Sequence, residues 1–207
     1  NIATSNINNS DHGNINYRYP YIWAGPSNIT PKFWFITAVN YQTPKVNGSK
    51  ALRTVLSDWV FSGTYTAATG SPQFPTTQDL SGTGYSGASS TFLPNRTCNA
   101  DQGPDIRTRL KWFNTNCFSN PVFGTWGNAS FGVITDPGIN NWNIATARRF
   151  RMPFAEDHAI EFRADFLNAF NHTQWLSADK NLVSVSYGRV NAVRPPRQIQ
   201  FALRYLF

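Results

Sequence analysis

The last ten residues, QIQFALRYLF (Gln198–Phe207), decide how the chain is read. Ile199, Phe201, Leu203, Tyr205 and Phe207 fall on one parity, and Gln198, Gln200, Ala202, Arg204 and Leu206 on the other. A period of two puts successive side chains on opposite faces of an extended strand. One face is apolar and ends in rings; the other is mixed. The same alternation recurs in HAIEFRADF (158–166), where Ile160, Phe162, Ala164 and Phe166 oppose Glu161, Arg163 and Asp165. Ala, Glu, Arg and Leu also favour helix. Helical spacing, however, scatters Ile160, Phe162 and Phe166 over a wide arc, so the strand reading prevails.

Working outward, INNWNIATARRFRM (139–152) places Trp142, Ile144, Thr146, Phe150 and Met152 on one side and Asn143, Ala145, Ala147, Arg149 and Arg151 on the other. Arg148 breaks the apolar parity. VLSDWVFSGTYTAATG (55–70) carries Trp59, Phe61, Tyr65 and Ala67 on one parity, and PKFWFITAVNYQT (31–43) alternates loosely between prolines. The sequence therefore predicts an all-β chain, an antiparallel meander of about five long strands near 32–43, 55–68, 140–152, 158–170 and 197–207. We expect a single β-domain over 1–207. It comprises an N-terminal loop or edge (1–30), a hairpin (31–70), a long Cys-containing loop (71–137) and C-terminal strands (138–207). Residues 44–54, with Asn-Gly at 47–48, read as a connection. Residues 171–196 read as a long connection with a short strand at 181–185.

Composition sharpens this. Only 14% of residues are charged, against roughly 25% in an ordinary soluble domain. Aromatic residues make up 15% and hydrophobic ones 41%, yet mean hydropathy is negative. Apolar residues are interleaved with uncharged polar ones, as two-faced strands require. No segment approaches the about 20 consecutive apolar residues of a membrane helix. A strand of about 9–11 residues with one apolar and one polar face spans a bilayer instead, with lipid on one side and a wet lumen on the other. Unpaired backbone groups in hydrocarbon forbid lone strands, so such strands must join a closed barrel or be completed by other chains. The alternative is a β-sandwich edge strand covering a core. A loop as long as 71–137 is unusual in a compact soluble domain and ordinary on the outer side of a membrane barrel.

The net charge is +7, from 18 basic and 11 acidic residues. No Lys/Arg run denser than Arg148-Arg149 occurs, so nucleic acid is not an expected partner. His12, His158 and His172 are scattered without ligand spacing, so no metal and no cofactor is expected. There is no G-x-S-x-G and no triad, and Glu161 with Asp165 lacks the signs of an acid/base cleft, so the chain is not expected to be an enzyme. Cys98 and Cys117 either close a disulfide in an oxidising compartment or remain two free thiols. Trp112, Phe118 and Trp126, near the cysteines, are candidate ligand-contacting aromatics, or else a small core that orders the loop. Arg149, Arg151, Glu161, Arg163, Asp165 and Arg204 are candidate lumen charges, or else cross-strand ion pairs.

The terminal Phe207, with Tyr205, Leu203 and Phe201, resembles the C-terminal signal by which outer-membrane barrel proteins are recognised for assembly. A wider resemblance covers most of residues 31–207. WFNT followed by a Phe, GTWGN, PGINNWN, the basic patch after it, FRADFLNAFNH and YGRVNAVRPPRQIQFALRYLF look like the C-terminal barrel of TonB-dependent receptors of the Oar-like type. These receptors carry a carboxypeptidase-regulatory-like domain and are frequent in acidobacteria. The resemblance implies a bacterial outer-membrane location and a transported solute. It also implies membrane lipid and the assembly machinery as partners, with residues 1–30, 71–137 and 171–196 outside and the turns near 44–54 and 153–157 in the periplasm. Five strands without plug or energy-coupling box are not transport-competent alone. The rival expectation is a released or repurposed extracellular protein whose partners are copies of itself, joined by strand-edge pairing.

Overall fold

The computed structural model describes residues 30–80, 82, 92–152 and 158–207. The expected N-terminal edge (all but residue 30) and the turn at 153–157 lie outside the described residues. Along the chain run β1 (Trp34–Gln42), α1 (Lys50–Leu56), β2 (Trp59–Ala68), β3 (Pro72–Gln73), β4 (Asn95–Arg96), β5 (Phe118–Ser119), β6 (Ile134–Thr135), β7 (Ile139–Arg151), β8 (Ala159–Leu167) and β9 (Gln198–Leu206). They fall into two compact units. One comprises residues 34–67, 139–174 and 194–207; the other is built mainly from 68–138 and 175–193.

The first unit is a five-stranded sheet in the order β1-β2-β7-β8-β9. β7 pairs antiparallel with β8, and β8 with β9. The register carries the period of two from strand to strand. Phe150 opposes Ile160, which opposes Tyr205; Phe162 opposes Leu203, Ala164 opposes Phe201, and Phe166 opposes Ile199. A slip of one residue would mix the two faces throughout. β2 adds Trp59 and Tyr65 to the same side, through edge contacts of Trp59 with Phe162 and stacking of Tyr65 on Trp142 at 4.5 Å. Phe35 of β1 continues the row against Tyr65. Nothing covers this face among the described residues: Phe61, Phe201, Leu203 and Tyr205 are exposed. The opposite face is polar, with Ser62 donating to Asn40 at 3.1 Å and Asn141 to Asn143 at 3.1 Å.

Local chemistry corrects the sequence reading at three places. Residues 50–56, expected as connection running into strand, form α1. The Ser49 hydroxyl accepts from the Leu52 N–H at 3.3 Å and caps it. Asp58 adopts a left-handed φ of 62° and separates α1 from β2, so the strand begins at Trp59. The Trp59 indole donates to the Val55 carbonyl at 2.7 Å, satisfying a helix-end acceptor. β8 ends at Leu167, short of the expected 170, because Asn168 turns left-handed at φ 50°, a conformation Asn tolerates. The Asn168 side chain locks this turn, donating to the His172 carbonyl and accepting from its N–H, both at 2.9 Å. The strand expected at 181–185 is absent; Asn181 makes only an isolated bridge with Thr76, and serine and aspartate side chains fold the segment into turns.

The second unit holds two short antiparallel ladders, β3-β6 and β4-β5, around a core. Leu93, Phe113, Cys117, Phe118, Ile134 and Val190 are among its buried residues, with Trp175 and Tyr187 packed against them. Phe113 touches Phe118 and Tyr187 edge-on. Gly127 permits close backbone approach here, since a Cβ would lie 2.0 Å from the Leu93 carbonyl oxygen.

Candidate functional site

The six candidate lumen charges share the polar face of β7, β8 and β9. Register fixes this: Arg149 opposes Glu161, which opposes Arg204, so one carboxylate stands in a row between two arginines. The Arg149 Nη2 reaches the Glu161 Oε2 at 3.5 Å. Arg163 grips Asp165 along its own strand rather than across it. Its Nε lies 2.9 Å from Oδ2 and its Nη2 2.9 Å from Oδ1, a forked geometry matched to a carboxylate. Arg151 opposes Ala159 and lacks a carboxylate across the ladder. The face carries four arginines against two carboxylates, so it is positive toward an anion. The arginine ends of both ion pairs are open to solvent, which screens them, so neither adds much stability. A recess of roughly 100 Å³ beside this sheet is lined by Asn140, Trp142, Asn168, Phe170 and His172.

The assembly stripe lies on the other face of β9. Phe201, Leu203 and Tyr205 all project from it, and Phe207 follows the strand, 91% exposed and stacked on Tyr205. The Tyr205 hydroxyl hydrogen-bonds His158 Nδ1. Sequence reasoning placed no weight on His158; it precedes Ala159, which opposes Leu206, and this brings its ring to the end of β9. β9 is bonded on one side to β8 and ends the sheet order, as β1 does at the other end.

In the second unit Cys98 and Cys117 form a disulfide, with Cα atoms 4.9 Å apart. Two of the three candidate aromatics prove to be packing elements. Trp112 and Phe118 are buried, and the Trp112 indole donates to the Thr135 carbonyl at 2.7 Å. Their rings are occupied by the core and are not free to stack on a ligand. Trp126 is half-buried and stacks on Phe92. Around Thr135 a polar node forms that no local sequence pattern signals. Asp101 accepts from the Thr135 N–H at 3.1 Å and pairs with Arg107 at 2.9 Å, and Arg107 donates to the Thr135 carbonyl. A second node joins Asp136 to Lys180 at 3.2 Å and to the Ser177 hydroxyl at 2.7 Å. The Lys180 ammonium also donates to the Ser177 hydroxyl, so the three side chains tie residues 177–180 to Asp136. Burial pulls the Asp179 carboxyl upward. Hydrogen bonds from Ser184, Ser186 and the Asn181 N–H, with the Lys180 charge, outweigh it and hold the group below the ordinary value. Burial alone pushes the Tyr187 phenol up.

Among the described residues no group of three His, Cys, Asp or Glu side chains could hold a metal ion. No described helix is long and apolar enough to cross a membrane, which leaves spanning by strands open. No curated protein and no solved structure matches the chain. The pattern of one family, described as Outer membrane beta barrel domain, matches residues 1–200. That match covers nearly all of a chain whose long strands each carry one apolar and one polar face: the protein belongs to the outer membrane beta barrel domain family and is located in the bacterial outer membrane.

Proposed function

We propose that the chain is the C-terminal barrel segment of a TonB-dependent receptor of the Oar-like type, taking up a solute that is still to be identified. It acts by binding and passage rather than by catalysis. The observation that carries this reading is the continuous register from β7 to β9, which gathers Arg149, Arg151, Arg163 and Arg204 on one face and bare aromatics on the other. In a barrel wall the aromatic face meets lipid and the arginine face meets the lumen. The lumen charge favours an anionic solute. Five strands do not enclose a lumen for a solute, so the segment works only with further strands and a plug. Partners in this reading are outer-membrane lipid and the assembly machinery, engaged through Phe201, Leu203, Tyr205 and Phe207.

The long connections, 69–138 and 168–197, are the outward ones in this reading, and the disulfide-closed unit supplies recognition surface through Trp126. A second reading draws on the two ends of the sheet. Among the described residues β1 and β9 each offer an unpaired edge, and edges of this kind pair with further copies. In that case the chain is a released extracellular protein forming oligomers or filaments.

The test is the intact mass and appearance of the native polypeptide taken from outer membranes. The receptor reading expects a mass several times the 23.2 kDa of this chain, a plug-like region upstream of Asn1, and discrete barrels by negative stain. A polypeptide close to 23.2 kDa assembled in fibres contradicts it.

A further inference from the structure

Among the described residues the apolar face of the sheet contains one charge. Arg148 lies in the middle strand, β7, directly opposite Phe162 of β8. It is only 6% exposed. Its guanidinium sits 4.6 Å from the centre of the Phe150 ring and 5.6 Å from that of Trp59. Cation–π contact offsets part of the cost of removing this charge from water. It cannot satisfy the five N–H donors of the group. Among the described residues the Nε and Nη1 atoms, both buried, have no hydrogen-bond partner. Two residues away on the same face, the Thr146 hydroxyl oxygen is buried and unpartnered as well. Together these make a polar spot with three unsatisfied atoms on an otherwise greasy surface.

Such a spot among apolar rings costs several kcal/mol per unsatisfied group unless an acceptor reaches it from outside the protein. Missing barrel strands do not bring one, because β7 is flanked on both sides within this chain, by β2 and β8. A planar guanidinium donates to two phosphate oxygens at once. Position fits a headgroup too. Arg148 lies toward the short 153–157 link, and Trp59, the first residue of β2, sits beside it, as interfacial aromatics do. Long cationic side chains near a strand end reach for that level.

We propose that Arg148, with Thr146 beside it, binds the phosphate of a membrane glycerophospholipid on the lipid-facing side of the sheet. The aromatic rings of Trp59, Phe150 and Phe162 hold the guanidinium in place while the acyl chains lie along the apolar face. This inference uses the membrane location of the family and is independent of the transport reading.

The experiment is native mass spectrometry of the full-length protein extracted from outer membranes in mild detergent. Phosphatidylethanolamine, phosphatidylglycerol, diacylglycerol and inorganic phosphate are supplied in separate arms. The wild type is expected to retain either phospholipid and to lose it by about tenfold or more in Arg148→Gln, the worth of one charge-assisted forked pair. Arg149→Gln, one residue away on the polar face, is expected to retain phospholipid as the wild type does. Should Arg148→Gln fail to reach the membrane, Arg148→Lys keeps the cation without the fork and is expected to weaken retention measurably. Equal retention by the wild type and by whichever Arg148 variant assembles overturns the proposal. So does retention of diacylglycerol equal to that of phospholipid, or displacement of the lipid by inorganic phosphate, which would mark a free-anion site.

Discussion

The two units of this chain put similar side chains to opposite uses. In the loop-derived unit the rings point inward. The largest fully buried side chains of the described residues, Phe113, Ile134, Val190, Pro75, Pro94 and Cys117, all belong to it. The sheet has far longer strands, yet what it buries is Ala159, Ala164 and the lone Arg148, while Phe201 and Leu203 stand 66% and 74% exposed. Water drives the first arrangement, because burying an aromatic removes its surface from solvent. The second arrangement is stable only where the surroundings are themselves apolar, since a patch of this extent in water is a liability. The difference teaches that one unit carries its own core and the other uses the membrane in place of one.

The comparison can be broken at its strongest point first. Phe113→Ala should lower the stability of the loop-derived unit by about 3–5 kcal/mol, the usual cost of emptying a packed aromatic site. Denaturant unfolding followed by tryptophan emission measures it, and Phe201→Ala in detergent should cost well under that. A comparable loss at both positions would mean that Phe201 packs in a core after all. Next comes the cross-link. Replacing Cys98 and Cys117 together by serine frees a loop closed over a sequence separation of 19 and should cost about 3 kcal/mol by the chain-entropy relation. Limited proteolysis should then cut this unit faster and leave the sheet unchanged.

Acid sharpens the contrast. The Asp179 carboxyl is held below its ordinary value in the folded state. Its contribution is therefore present above the ordinary carboxylate range and is lost as pH falls through the folded value. Melting of the loop-derived unit should drop below about pH 4, and Asp179→Asn should remove that part of the drop. The smallest effect belongs to the polar face. Asp165→Asn leaves Arg163 in solvent and should leave the melting temperature nearly unchanged, while altering the salt dependence of anion binding to the barrel.

The long strands were legible because a two-faced strand writes its period into the sequence. Phe162, Leu203 and Phe201 announced the face, while the pairing of Phe162 with Leu203 and of Ala164 with Phe201 came from the structure. What stayed hidden was set by single side-chain hydrogen bonds or by distant contacts. Asn168 ends β8 through its bonds to His172, and Ser49 starts a helix where a plain connection was expected. Trp112 and Phe118 looked available for a ligand because the partners that bury them, such as Trp175 and Val190, lie some sixty to seventy residues downstream. No local pattern carries that information. Arg148 stood out in sequence only as a break in parity; its meaning needed the rings around it.

The central claim is that the face bearing Phe201 meets lipid and the face bearing Ala202 meets water. Phe201→Cys and Ala202→Cys, made separately in the full-length protein with Cys98 and Cys117 kept in their disulfide, put a thiol on each face of β9. In intact outer membranes, a membrane-impermeant thiol reagent admitted to both sides should label Ala202→Cys and leave Phe201→Cys unmodified. Equal labelling of the two, or preferential labelling of Phe201→Cys, would contradict the account.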